Sequence, residues 1–293
     1  MIIATAEDLR NITGSYYANN DFSKIASMVE AVEQELAATL GMPTLDTLEG
    51  SALRAAQQAV GYMATMRFYR LNDISHENAG RKVKIDKENE ARPFEWQLAR
   101  DDRMHLEEYY RALNRLINAL QDNAQYQQSA IYKRQQRLVV KSARALTWLT
   151  GVDESPWLYI TMIPHLADSQ RFVEKAYGDA LDVDAASELA DTDTLDYAVQ
   201  KAVALGALVL MGRTTSLRTL PYGMMRLVES DGGGNQREQS AIDQLDRYLK
   251  HLSNDQYYWI EEMKQKRDEA AGLEQPQHLQ MPDNDPHNKF FRV

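Results

Sequence analysis

The chain has 293 residues, 44% hydrophobic and 26% charged, enough to bury one large core or two modest ones and too apolar to be disordered throughout. Its 33 Lys and Arg against 43 Asp and Glu leave a formal net charge of -10, which argues against generic attraction to nucleic acid or anionic lipid and leaves room only for local contacts of that kind. Without cysteine there can be no disulfide framework, thiolate nucleophile, iron-sulfur cluster or Cys-containing zinc site, which suits a reducing compartment such as the cytoplasm. The opening Met1-Ile2-Ile3-Ala4-Thr5-Ala6-Glu7-Asp8 lacks a basic region followed by an apolar one, and the run Ala202 to Gly212 is too short to cross a bilayer, so neither secretion nor a membrane span is expected.

The 14 Gly and 8 Pro cluster between long periodic segments, and strand signals are nearly absent, which predicts an all-α fold. Phe22, Ile25, Val29, Val32, Leu36 and Leu40 recur at three- and four-residue steps, placing an apolar stripe on a helix that stops at Gly41 with Pro43 beyond. A second helix is expected from Leu53 to Tyr69, and Leu106, Tyr109, Leu113, Leu116, Ile117 and Leu120 mark a third. Between these two lies a polar excursion, 72–93, in which Val83-Lys84-Ile85 fits a short strand, a hairpin arm or irregular loop. One connecting helix is then expected from Tyr126 to Leu149, carrying Ile131, Leu138, Ala145 and Leu149 and closed by Gly151.

The second half repeats this order. A shift of about 141 residues lays Ile163, Leu166, Val173, Tyr177 and Leu181 over Phe22, Ile25, Val32, Leu36 and Leu40, and one of about 143 lays Gln200-Lys201-Ala202-Val203 over Gln57-Gln58-Ala59-Val60. Amphipathic helices share apolar positions easily, so duplication and coincidence both fit. A second excursion, 214–238, holds Leu220-Pro221-Tyr222-Gly223, Met224, Met225 and Asp231-Gly232-Gly233-Gly234-Asn235, and a closing helix runs from Glu238 to Asp268 with Ile242, Leu245, Leu249, Leu252 and Trp259. The expected organisation is a first helical lobe at 1–123, a connecting helix at 124–151, a second, similar helical-bundle lobe at 152–270 and an extended C-terminal arm at 271–293. The arm is rich in Pro, Asn and Asp but closes with Lys289-Phe290-Phe291-Arg292-Val293. Either it is a frayed terminus, or Phe290, Phe291 and Val293 form an anchor that docks in a groove on a neighbouring subunit.

Sites of chemistry are sought without success. No Gly-rich segment leads into Lys-Ser or Lys-Thr, so Gly232-Gly233-Gly234 reads as a hinge or loop tip. A dinuclear metal bundle needs Glu-x-x-His twice, whereas the nearest match is a single Asp102-x-x-His105, which reads as a polar helix start on the surface. Asp191-x-Asp193 and Asp283-x-Asp285 lack the Gly and terminal Glu of a calcium loop, so Asp193 is expected to cap a helix starting near Leu195. The six histidines are scattered, and the Gly-x-Ser-x-Gly turn of a nucleophilic serine is missing. No catalytic residue, metal ligand or cofactor is expected.

Two charged features stand out. Arg134, Arg137, Lys141 and Arg144 fall at helical spacing, opposite Ile131, Leu138 and Ala145; a solvated face is one meaning and contact with an acidic protein neighbour another. Arg81, Lys82, Lys84 and Lys87 make the first excursion locally basic in the same way. Met224 and Met225 are either core residues or adaptable contacts.

The opening Ala6-Glu7-Asp8-Leu9-Arg10, the helix Phe22 to Gly41, the Ala-rich helix Ala52 to Tyr69, the polar excursion and the Tyr-rich helix after it resemble, in that order, the helical head-tail connector proteins of tailed bacteriophages, also called adaptor or neck proteins. The second half resembles a double-length group of them from phages and prophages of gut bacteria, through Ile163-Pro164-His165-Leu166, Leu220-Pro221-Tyr222-Gly223, Asp283-Asn284-Asp285 and Phe290-Phe291. The resemblance spans almost the whole chain on soft motifs, and it departs at Asp182, where the first half has the helix-ending Gly41. It implies a non-enzymatic virion protein, made in the host cytoplasm, that forms a ring, commonly dodecameric, beneath the portal and docks neck or tail proteins while the genome passes through its lumen without specific binding. An all-helical cellular scaffold or regulatory binding module is the competing reading.

Overall fold

The structure, a computed structural model, describes residues 1–14, 21–72, 75–77, 80–82, 95–214 and 235–273. The fold is all-α: ten helices and one short hairpin make up the regular structure among these residues. They fall into two compact units, the first formed by 1–137 with 153–163 and the second by 138–152, 164–214 and 235–273.

In the first unit, α1 (Ala6–Thr13) is opened by a capping box that the apolar spacing does not reveal: the Asp8 N–H donates to the Thr5 hydroxyl, and the Thr5 N–H donates to the Asp8 carboxylate, each at 3.0 Å. Helix α2 (Ser23–Leu40) buries the predicted stripe of Ile25, Val29, Val32, Leu36 and Leu40. Gly41 ends it at φ 67, where a left-handed residue lets the Gly41 and Met42 N–H groups reach back to Ala38 and Ala37. Helix α3 (Gly50–Asn72) packs against α1, α2 and α4 (Glu95–Ala119). It can do so because its buried positions are small: Ala55, Ala56, Ala59 and Ala64 let neighbouring backbones approach, and at Gly61 a Cβ would meet Ile12 and Thr13 of α1 at 3.0 and 3.1 Å. Helix α4 answers with fully buried Leu113, Leu116 and Ile117. Between α3 and α4, β1 (Ser75–Glu77) pairs antiparallel with β2 (Gly80–Lys82), Ser75 opposite Lys82. This hairpin lies just before Val83-Lys84-Ile85, which falls outside the described residues.

The expected helix from Tyr126 to Leu149 is instead three short ones, α5 (Ala124–Gln127), α6 (Ala130–Gln135) and α7 (Ala143–Thr150). Each begins at a residue whose side chain competes for backbone N–H groups: Asn123 accepts from Gln125 and Tyr126, Ser129 from Tyr132, and Ser142 from Ala145. Between α6 and α7, Leu138, Val139 and Val140 are buried in succession, which no single helix face could achieve, and the Val139 N–H donates to Gln170 Oε1 at 3.0 Å. Capping chemistry overrides the apolar spacing here.

Helix α8 (Pro156–Tyr177) starts with proline at its first position, where no N–H is needed, and Asn114 of α4 accepts the Trp157 N–H at 2.9 Å. The helix stops at Gly178, φ 91, four residues before Asp182, so the second half does carry a helix-ending glycine, at an earlier place than expected. Helix α9 (Leu195–Thr214) is capped by Thr194, not Asp193: the Tyr197 N–H donates to the Thr194 hydroxyl at 3.2 Å. It is apolar around most of its circumference and extends well beyond Ala202 to Gly212, with 20 residues and a mean hydropathy of 1.3, long and apolar enough to cross a membrane by length and composition. Within the unit 72% of that window is buried in protein, and α9 packs against α7 and α10 (Asn235–Ala270). Helices α8, α9 and α10 converge at Gly206, where any Cβ would collide with Ser169 of α8 and Gln256 of α10. Ser169 donates from Oγ to the Val203 carbonyl at 2.8 Å, so a buried polar seam runs through an otherwise apolar interface.

Candidate interaction surfaces

The basic stripe does not exist as one helix face. Arg134 is exposed near the end of α6 and Arg137 lies just past it, both in the first unit; Lys141 and Arg144 belong to the second. Lys141 is committed locally, its ammonium donating to the Ala186 carbonyl at 3.1 Å, while Arg144 is exposed on α7. Arg81 and Lys82 lie on β2, opposite His76 and Ser75. Lys84, Met224, Met225, Phe290, Phe291 and Val293 lie outside the described residues.

His105 is not on the surface. It is 7% exposed on α4, within 3.0 Å of the Asp101 carbonyl at Nδ1 and edge-on to Tyr62, while Asp102 accepts from Arg70 of α3 at 2.8 Å. The pair is divided between a core position and an interhelical ion pair. Among the described residues, no three of His, Asp and Glu gather where they could hold a metal ion.

Charged side chains tie helices together in the first unit and cap one in the second. Arg67 of α3 bridges to Glu35 of α2 at 2.8 Å, and that hydrogen bond holds the Glu35 carboxyl below its usual pKa. In the second unit the half-buried Lys201 ammonium donates to the Leu149 carbonyl at the C-terminal end of α7, where the helix dipole favours a cation. Burial lowers the Lys201 pKa, with Asp255 pulling the other way. Gln57 and Gln200, superimposed by the shift of about 143, each donate a side-chain amide to a backbone carbonyl outside their own helix, Ile2 at 2.8 Å and Ser187 at 2.7 Å. The Gln200 Oε1 is buried with no hydrogen-bond partner.

The aromatic residues separate the two units most clearly. Tyr109 and Tyr110 on α4 meet edge to face at 5.0 Å, and burial pushes the Tyr109 hydroxyl up to about 12. Tyr257 and Tyr258 on α10 are 57% and 59% exposed. Phe172 of α8, 45% exposed, meets Tyr257 edge to face with centroids 6.4 Å apart. On α7, Trp148 is also exposed, its indole N–H donating to the Ala190 carbonyl at 3.4 Å beside exposed Leu189. Sequence reading passed over Phe172 and Trp148. Their only local signal is that each adjoins a stripe residue, Val173 and Leu149, and therefore stands off the apolar face.

These surfaces offer rings and fixed geometry for contact with another polypeptide. The chain matches no protein-family model, no curated protein and no solved structure.

Proposed function

We propose that this protein is a structural subunit whose activity is contact: a head-tail adaptor that forms a ring beneath a bacteriophage portal and presents a docking surface to neck or tail proteins. The observation that carries the reading is the set of large aromatic side chains, Phe172, Tyr257, Tyr258 and Trp148, left in water on a helical unit whose interior is otherwise packed. Exposed rings on rigid helices have the composition of an interface core. The sequence resemblance to adaptor proteins supports the same reading. So does the element order, in which α2 and α3 precede one excursion and α4 follows it, while α8 and α9 precede another and α10 follows that.

In this role the two excursions meet adjacent proteins. The net charge of -10 suits a lumen that lets a duplex slide, because a basic wall would hold phosphate and stall it. Subunits remain unassembled until a portal supplies a complementary surface, since the entropic cost of bringing subunits together is offset only by docking.

The test mixes the purified chain with portal rings from the phage genome that carries its gene. The expected result is a stoichiometric complex with as many adaptor copies as the portal symmetry dictates. A chain that stays free at micromolar concentration, or that binds an unrelated cellular protein with matching stoichiometry, would favour the scaffold reading.

A further inference from the structure

Phe172 and Tyr257 form an aromatic ledge in the second unit that nothing among the described residues covers. The helices beneath it are pinned together: Ser169, close before Phe172 on α8, and Gln256, adjacent to Tyr257 on α10, both press on α9 at Gly206. Carboxylates stand at both ends of the ledge, Asp168 one turn before Phe172 and Glu261 one turn after Tyr257, with 64% and 71% of their side chains exposed. Each has a cation on its own helix, Arg171 at 3.7 Å and Lys264 at 2.7 Å, so their contribution is orientation more than affinity.

The same chain carries a segment of matching chemistry. Lys289-Phe290-Phe291-Arg292 sets two rings between two cations. Its tether also has a suitable length. Helix α10 ends at Ala270, so Tyr257 lies about 20 Å back along the helix at 1.5 Å per residue. About 20 residues separate Ala270 from Phe290, and at a maximum of about 3.3 Å per residue that length of chain is ample to reach back to Tyr257. A ligand on a tether that can reach its site is present there at an effective concentration in the millimolar range. At an effective concentration of about 1 mM, an intrinsic dissociation constant of about 0.1 mM would suffice to keep the segment docked about nine-tenths of the time.

We propose that the Phe172–Tyr257 ledge is the docking site for Phe290-Phe291 of its own chain, with Lys289 and Arg292 facing Asp168 and Glu261. The isolated subunit thereby covers this exposed aromatic pair with its own terminus. The inference does not depend on the adaptor reading and holds for whatever partner the chain has.

The test places p-benzoylphenylalanine at position 290 of the full-length protein, irradiates it and maps crosslinks by peptide mass spectrometry. Crosslinks are expected within the chain, to the α8 peptide around Phe172 or the α10 peptide around Tyr257. Their yield should be unchanged over about a hundredfold dilution, as an intramolecular contact requires. The Phe172→Ser/Tyr257→Ser double variant should lower it by about fivefold or more, and because both positions are exposed its helical circular dichroism should be retained. As a check that needs no variant of the ledge, a synthetic peptide of residues 284–293 at several millimolar should compete. Crosslinks to other peptides, crosslinks only between chains that fade on dilution, or no crosslink at all would each overturn the proposal.

Discussion

Each unit carries a pair of adjacent tyrosines on a long helix, yet the two pairs have opposite fates. Tyr109 and Tyr110 are drawn against the first unit's other helices, and burial raises the pKa of both. Tyr257 and Tyr258 stay in water, and the Tyr258 pKa rises chiefly because of the Glu262 carboxylate, with desolvation the smallest contributor. The difference lies in phase. On α10 the core face is set by Leu249, Leu252, Gln256, Ile260 and Met263, which turns both tyrosines away from α9. A Tyr-Tyr doublet therefore has no fixed meaning; its angle to the buried stripe decides whether it serves stability or contact.

The sharpest way to break that contrast is to remove one ring from each pair. Tyr109→Ala should cost about 2–3 kcal/mol in denaturant unfolding, the order expected for a mostly buried ring, whereas Tyr258→Ala should stay within about 0.5 kcal/mol. Equal costs would show that both doublets are structural.

The glycines extend the comparison. Gly206→Ala forces a methyl into Ser169 and Gln256 and should destabilise the second unit by about 1–3 kcal/mol. Gly61→Ala meets only methyl groups at 3.0 Å or more, and the gain in helix propensity of about 1 kcal/mol offsets the crowding, so its melting temperature should barely move. Ser142→Ala removes the α7 cap and should cost about 1 kcal/mol by the same measurement.

Acid titration gives the smallest effect and separates the units by pH. Burial lowers His165 below its usual 6.5, so the unfolded chain binds more protons there, and stability is lost as pH falls from 6.5 through the lowered value. Glu35 is held below 4.5 by Arg67, so its contribution is present above 4.5 and is lost only as pH falls through its lowered value. Glu35 is solvent-exposed, which limits that contribution to about 0.5 kcal/mol or less. Following urea midpoints from pH 7.5 to 3.5, His165→Gln should flatten the upper part of the curve and Glu35→Gln the lower.

Much of the fold was legible because the relevant forces are local. The stripe from Ile25 to Leu40 and the left-handed Gly41 declare α2 without reference to any neighbour. The region after Asn123 was not, because apolar residues at helical spacing and three side-chain caps made opposing demands, and Gln170 of α8, distant in sequence, satisfies the Val139 amide in the gap. The basic stripe dissolved with that helix, since its four cations shared a face only if the backbone between them was continuous. His105 looked like a surface residue because its neighbours Asp101, Asp102 and Arg103 are charged; only the packing of Tyr62 against it shows the turn of α4 that faces inward. Phe172 and Trp148 were not legible for a related reason: composition counts rings without saying which way they point.

The central proposal, that the chain acts by occupying a place in a virus particle, is tested most directly by finding a tailed phage that carries its gene and imaging that phage's purified virions. The account predicts helical density between portal and tail into which the helices of both units fit, with one copy per portal-symmetry position. Virions that lack the protein altogether, or full infectivity after deletion of its gene, would contradict it.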